Sequence, residues 1–299
     1  MENLSKHAYL IIAHKNDLTF NTLLKMLDDK RNDIFIHLDI KNKNYSIEEI
    51  KKKLRYSSVY FTERTNVMWG GYSQINCELL LLKLAINVGK YKYYHLLSGE
   101  DLPIKTQNYI HCFFNNNEGK EFVRFESNVF KYKERIKFYY LFQERIGRNG
   151  TLFIRVLNKF SILVQKILKI NRNRNQVFQK GTNWFSITDD LARYVVEKEE
   201  WINEVFHNTI CCDELFLQTI IHNSYFKDNL YYEMYDNSLE AIKRLIDWKR
   251  GNPYVFKEKD FNELKKSSML YARKFDANID RKIINKIYDE FNQNKKESY

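Results

Sequence analysis

The chain is expected to fold as α/β, one domain with a mostly parallel, Rossmann-like sheet flanked by helices. Three observations carry that expectation. Short apolar runs alternate with helix-period segments along the amino-terminal third, the pattern of βαβ units. Only nine Gly and two Pro interrupt 299 residues, so no linker or disordered tract divides the chain. Hydrophobic residues make up 44% and aromatics 15%, enough for a sizeable core.

Each element has its own signal. Tyr9-Leu10-Ile11-Ile12-Ala13-His14 is an apolar run of the kind found in buried strands. Asp17 then caps a helix through about Leu27. Asp33 to Asp39 reads as a second buried strand ending in a carboxylate. Ser46 to Leu54 is helical, and Ser58 to Phe61 makes a third strand. Ser73 to Val88 has the apolar density of a long buried helix. Tyr93 to Leu97 is a fourth strand, followed by the loop Ser98 to Pro103. Ligands of such sheets bind beyond the carboxyl ends of the strands, where Asp39 and that loop fall. Thr182 to Ile187 is another strand, with Thr188-Asp189-Asp190 opening a helix through about Glu200. Cys212-Asp213-Glu214-Leu215 opens a further helix. From Asp260 the chain is helical and charged. The expected division is a domain over residues 1–280 and a charged helical tail over 281–299, its last residues frayed.

The formal net charge is +11, from 49 basic and 38 acidic side chains. That favours polyanionic partners: nucleic acid, an anionic membrane surface or phosphorylated substrates. Against nucleic acid, no RRM, KH or helix-turn-helix signature accompanies the charge. Twenty-one Tyr and twenty-one Phe suit an aromatic core or a site that stacks rings and sugar faces. Cys77, Cys112, Cys211 and Cys212 lack CxxC spacing and read as reduced core thiols, the cytosolic pattern. The opening run Met1 to Lys6 leads into a strand without an apolar signal segment. No stretch approaches about 20 uninterrupted apolar residues. The expected location is cytoplasmic, peripheral at the inner face of the plasma membrane.

Arg145 to Lys180 holds nine basic residues and no acidic one. Within it, Leu152 to Ile170 resolves into an apolar half, including Phe153, Val156, Phe160, Leu163 and Ile167, and a basic half with Arg155, Lys159, Lys166 and Lys169. Two readings stand: a helix packed on the sheet with a solvated basic face, or a helix lying on anionic lipid.

Chemistry-bearing residues are few. Acids at a helix start, as in Asp213-Glu214, complement the macrodipole. A carboxylate there also suits glycosyl transfer, in which the acceptor hydroxyl loses its proton as it attacks the anomeric carbon. His37-Leu38-Asp39 reads as a metal-ligand pair or as a carboxylate for a base or ribose. No D-x-D ends a strand, the manganese-holding pattern of nucleotide-sugar enzymes. Without a divalent ion a departing nucleoside diphosphate is neutralised by Arg and Lys, with Arg250, Arg273 and Lys274 as candidates.

The motifs occur in a telling order: Ile36-His37-Leu38-Asp39, Met68-Trp69-Gly70-Gly71-Tyr72-Ser73, Leu97-Ser98-Gly99-Glu100-Asp101-Leu102-Pro103, Gly181-Thr182-Asn183-Trp184-Phe185, Asp213-Glu214-Leu215-Phe216, Trp248-Lys249-Arg250-Gly251 and Ala272-Arg273-Lys274-Phe275-Asp276. The succession resembles the core-2/I-branching β-1,6-N-acetylglucosaminyltransferase family, which includes peptide O-xylosyltransferases, over roughly residues 7–276. The resemblance implies a GT-A-like fold. It also implies inverting, metal-independent transfer from a UDP-sugar, commonly UDP-N-acetylglucosamine, with UDP-xylose as the alternative donor and no cofactor. By motif position Glu214 is the implied catalytic base. Arg250 and Lys274 are the implied diphosphate clamp, Asp39 the carboxylate near uracil, and Ala13 and His14 the lining of the same pocket. Glu126, with Lys133 or Arg135, and Trp248 are implied on the acceptor side.

The chain is expected to depart from the animal enzymes by lacking their anchor, stem and disulfides. It reads as a bacterial member building surface polysaccharide. The basic insertion near 147–180 has no counterpart in the family and suits a lipid-linked oligosaccharide acceptor. Rival readings are a nucleic-acid-binding protein and a membrane-surface protein without activity.

Overall fold

The computed structural model describes residues 6–43, 45–147 and 150–292. The expectations for Met1 to Ser5, for Arg148 and for the frayed end of the tail lie outside the described residues. Strand β1 (His7–Ala13), helix α1 (Leu18–Leu27), β2 (Asn32–Leu38), α2 (Ile47–Lys52), β3 (Ser58–Phe61), α3 (Ser73–Val88) and β4 (Tyr93–Ser98) follow in turn. Then come β5 (Asp101–Pro103), α4 (Gln107–Asn116), β6 (Phe122–Phe125), α5 (Lys133–Lys137), α6 (Gln143–Ile146), α7 (Leu152–Ile167) and β7 (Gly181–Thr188). The chain closes with α8 (Asp189–Glu197), α9 (Glu199–Phe206), α10 (Phe216–His222), β8 (Arg244–Ile246), α11 (Phe261–Lys266), β9 (Tyr271–Arg273) and α12 (Arg281–Phe291).

Local chemistry accounts for these boundaries. Asp17 caps α1 by accepting from the amide of Phe20, and Ser46 caps α2 by accepting from the amide of Glu49; each side-chain oxygen takes up an amide with no partner inside its helix. Thr188 does the same for α8. The helix expected to run on to Glu200 instead breaks at Lys198, and α9 starts at Glu199. The acids of Asp213-Glu214 do not begin an α-helix. They lie in a 3-10 turn, Cys212–Glu214, ahead of α10.

The main sheet has the order β3-β2-β1-β4-β7-β6. Its β1–β2, β1–β4 and β2–β3 pairings are parallel, while β7 runs antiparallel to both β4 and β6. Alternation along β1 sends Ala8 and Leu10 into one core and Tyr9, Ile11 and Ala13 into the other, so both faces are covered and the strands read as continuous apolar runs. Helix α12 buries Ile283, Ile284 and Ile287 in the same core as Tyr9 and Ile11, so residues 281–291 are packed on the domain. A second sheet, β5-β9-β8, pairs Asp101 with Arg273 beyond the end of β4. Cys77 and Cys212 are buried, but Cys112 is exposed on α4, which corrects its reading as a core thiol.

The sheet-packed reading of 152–170 does not hold. Helix α7 turns Asn158 and Gln165 inward, and the Gln165 amide exchanges hydrogen bonds of 2.7 and 2.9 Å with the backbone of Tyr139. Leu152 is 79% exposed, Phe160 61% and Ile167 71%. Burying each such side chain would contribute about 1.5–3 kcal/mol, a gain that the fold leaves unused. Among the described residues no helix is long and apolar enough to cross a membrane.

Candidate active site

Charged side chains gather at two centres. The first lies at the carboxyl ends of β1 and β4. The amide of Gly99 donates to the Ile12 carbonyl at 3.0 Å, and a Cβ on Gly99 would sit 3.7 Å from Ala13. The loop thereby brings Glu100 against the end of β1. There Glu100 meets Lys15 at 3.0 Å, Lys274 at 3.2 Å, His14 at 3.4 Å and Arg273 at 3.6 Å. Burial alone would raise its pKa, but the hydrogen bond from His14 and the charges of Arg273 and Lys274 hold the carboxylate well below the usual range. Lys15 also pairs with Asp276 at 3.1 Å. Asp39 is buried beside this centre: its amide donates to the Ala13 carbonyl at 3.0 Å, and its carboxylate faces Lys41 at 3.1 Å.

Arg273 joins the centre to the sheet. It pairs with Asp101 at 2.7 Å and lies 4.6 Å over the ring of Trp184. Arg244, fully buried, lies 4.8 Å over the same ring and 3.4 Å from Asp101; burial lowers its pKa to about 10. Trp184 is thus in contact with two guanidinium groups.

The second centre holds Glu214. Its carboxylate, 36% exposed, lies 3.1 Å from Arg135 and 3.5 Å from Lys180. Lys180 also pairs with Glu126, which accepts a hydrogen bond from Tyr132. Burial opposes the ionisation of Glu126, yet the bonds from Lys180 and Tyr132 lower its pKa. The turn is fixed from behind. Cys211 has a left-handed backbone and donates to the Gly70 carbonyl at 2.9 Å. Gly70, at φ +72°, leaves 3.3 Å between a Cβ in its place and the Cys211 sulfur, so a side chain there is disfavoured twice over. Gln74 donates to Asp213 at 2.9 Å. Burial, with the charge of Glu214 adding to it, pushes Asp213 up to about 7. Glu78 is buried next to Asp213 with neither carboxyl oxygen bonded, and burial raises its pKa well above the usual range.

Both centres lie toward the amino end of β7, because β4 runs antiparallel to it and ends there. Lys180 precedes β7 and Trp184 lies within it, four residues on, about 13 Å at the strand rise. The fold therefore brings Ala13, His14, Asp39 and Lys274 to one centre and Glu126 with Glu214 to the other. Arg250 belongs to neither. It is held by Asp247, by Asp260 at 2.8 Å and by Glu263 at 3.0 Å, and stacks 4.4 Å over Tyr254. Backbone hydrogen bonds from Phe256 to the Lys274 carbonyl and from Lys274 to the Tyr254 carbonyl tie its loop to the first centre. Among the described residues no ion pair joins Glu214 to Arg250 or to Lys274; its partners are Arg135 and Lys180. Trp248, on the same loop, is 51% exposed. Sequence reasoning passes over Lys15, Glu100 and Lys180. Glu100 is within its reach, because the loop that carries it falls beyond the strand ends; Lys180 reads only as part of a basic run. Among the described residues no three His, Cys, Asp or Glu side chains come together in a way that would hold a metal ion.

A family model described as core-2/I-branching enzyme matches residues 7–269. The chain belongs to the core-2/I-branching enzyme family. This is a glycosyltransferase family, and its match takes in Asp39, Glu126, Glu214 and Arg250, while Lys274 falls just beyond. Mouse xylosyltransferase 2 is 23% identical over 302 residues, covering 93% of this chain and 32% of that protein. Xylosyltransferase sqv-6 of Caenorhabditis briggsae is 24% identical over 310 residues, covering 93% and 36%. The chain thus spans about a third of the length of these curated relatives. Among solved structures, apo mouse xyloside xylosyltransferase 1 is similar over 89% of this core-2/I-branching chain, with a TM-score of 0.37 and 8% identity.

Proposed function

We propose that the protein is an inverting glycosyltransferase that moves a sugar from a UDP-sugar to a glycan hydroxyl without a divalent metal. The acceptor oxygen attacks the anomeric carbon, its proton passes to Glu214, and the carbon–oxygen bond to the diphosphate breaks to release UDP. The observation that carries this reading is the solvent-reached carboxylate of Glu214 beside Lys180, just ahead of β7, with Lys274, Lys15 and Arg273 gathered at Glu100 beyond the carboxyl end of β4, which runs antiparallel toward that same end of β7. Those cations are the groups to neutralise a departing diphosphate. Asp39, Ala13 and His14 line the nucleotide side, Arg250 leaves its acidic partners to reach the diphosphate, and Glu126 and Trp248 meet the acceptor.

The donor is UDP-N-acetylglucosamine or UDP-xylose, and the names of the relatives favour the pentose. The acceptor is a lipid-linked oligosaccharide of bacterial surface polysaccharide synthesis, met at the inner face of the plasma membrane through residues 152–170. A thermal-shift panel of UDP-sugars with and without EDTA tests the reading: one donor should raise the melting temperature equally in both conditions. Stabilisation by none, or only with a divalent ion, would refute it.

A further inference from the structure

Beside α7 lies a cleft of about 650 Å³ whose lining includes Lys133, Lys137, Arg172 and Arg174. Its one acidic side chain, Glu134, is already paired with Lys166 of α7 at 2.8 Å. Among the described residues none of the four cations pairs with a carboxylate; Arg172 donates instead to the Val205 carbonyl and to Thr209 at 3.4 Å, and lies 4.6 Å over the ring of Tyr139. Four like charges around one cleft repel one another, and an anion removes that cost.

The neighbouring helix has the matching character. At about 100° per residue, Leu152, Phe153, Val156, Phe160, Leu163 and Ile167 share one outward arc, all of them exposed. Arg155, Lys159 and Lys166 follow along one edge of that arc. Large apolar side chains bordered by bases are what the boundary between lipid headgroups and acyl chains receives.

We propose that this side of the molecule docks on an anionic bilayer, with the arc of α7 in the headgroup–acyl boundary and a lipid phosphate in the cleft of Lys133, Lys137, Arg172 and Arg174. Charge complementarity selects this occupant. The run from Arg145 to Lys180 contains no acidic residue that would complement bases on a protein partner, and a second copy meets the face with the same positive charge. The contact also lies close to the chemistry, because α5 carries both Lys133 and Lys137 of the cleft and the Arg135 that pairs with Glu214. The inference deepens the reading of an acceptor held at a membrane. Its test uses no donor sugar, so its failure leaves the transfer chemistry standing.

The full chain is sedimented with vesicles of phosphatidylcholine alone and of phosphatidylcholine with phosphatidylglycerol. It should bind the anionic vesicles, with affinity falling as salt is added. At about fivefold per base removed, the variant Lys133→Gln, Lys137→Gln, Arg174→Gln should bind about a hundredfold more weakly. Phe153→Ser, Phe160→Ser, Ile167→Ser should also lose binding, with circular dichroism and melting temperature unchanged because those side chains are exposed. Equal binding to neutral vesicles, no binding to anionic ones, or wild-type binding by the Gln variant overturns the proposal. So does protection by inorganic phosphate without vesicle binding, which would make free phosphate the ligand. Self-association abolished by the Ser variant, without vesicle binding, would instead assign the face to a second copy.

Discussion

The ammonium of Lys180 lies 3.5 Å from the carboxylate of Glu214 while also pairing with Glu126. One cation is therefore shared by the proposed base and by a proposed acceptor-side carboxylate. Replacing Glu214 by Gln keeps the shape and removes the proton acceptor. Transfer should fall by roughly 10²–10⁴-fold, while UDP still raises the melting temperature as in the wild type. Near-normal turnover of Glu214→Gln would show that another group takes the proton.

Lys274 and Arg250 occupy unlike settings, and their variants should separate the two. Lys274→Ala takes a cation out of the group at Glu100, and kcat/KM for the donor should drop by about 10²–10³-fold. Arg250→Ala should weaken UDP binding as well if the arginine leaves its acidic partners for the diphosphate. A full UDP thermal shift in Arg250→Ala, with a lost one in Lys274→Ala, would confine the clamp to Lys274, Lys15 and Arg273.

Excess chelator should leave the initial rate of transfer unchanged, since the positive charge is supplied by side chains. Loss of activity in EDTA, restored by added manganese, would contradict the proposed leaving-group chemistry.

Asp213 gives a pH dependence with a definite sign. Its carboxyl titrates near 7 in the fold against an ordinary value of 3.8, so between those values the native state binds more protons than the unfolded chain. Stability from this group is full below about pH 4 and is lost as the pH rises to about 7. Glu121, buried and also raised to about 7, acts in the same sense, so the comparison needs a variant. Asp213→Asn should melt higher than the wild type by roughly several degrees at pH 8, and the gap should narrow at pH 5. A gap that does not change with pH would remove Asp213 from this role.

Gly181 stands where β7 meets β6 more closely than a side chain permits. A Cβ there would fall 1.7 Å from the carbonyl oxygen of Arg124, a backbone atom that cannot swing aside. Gly181→Ala should destabilise the protein by about 2–4 kcal/mol in denaturant titration. It should also reduce transfer, because Lys180 precedes it directly. Unchanged stability would mean that the strands separate at little cost.

Much of the fold is legible in the order of the residues. The strands from Tyr9, Asp33, Ser58 and Tyr93, the helix Ser73–Val88 and the caps at Asp17 and Thr188 all follow from side-chain period and from which residues bond to a free amide. Glu214 stands out as a carboxylate in a recognisable segment, but its turn does not, since the left-handed Cys211 depends on the carbonyl of Gly70.

The succession of strands and helices through β4, the two-sided core and the presence of a carboxylate in a recognisable segment were determined by the sequence alone, because local backbone preference and burial period are written in neighbouring residues. What each charged group faces was decided only by tertiary structure. Arg135 meets Glu214 across 79 positions, and Lys274 meets Glu100 across 174. The same holds for α7, whose period marks an apolar face without saying what covers it. Periodicity records which residues share a side; the path of the chain determines what lies opposite.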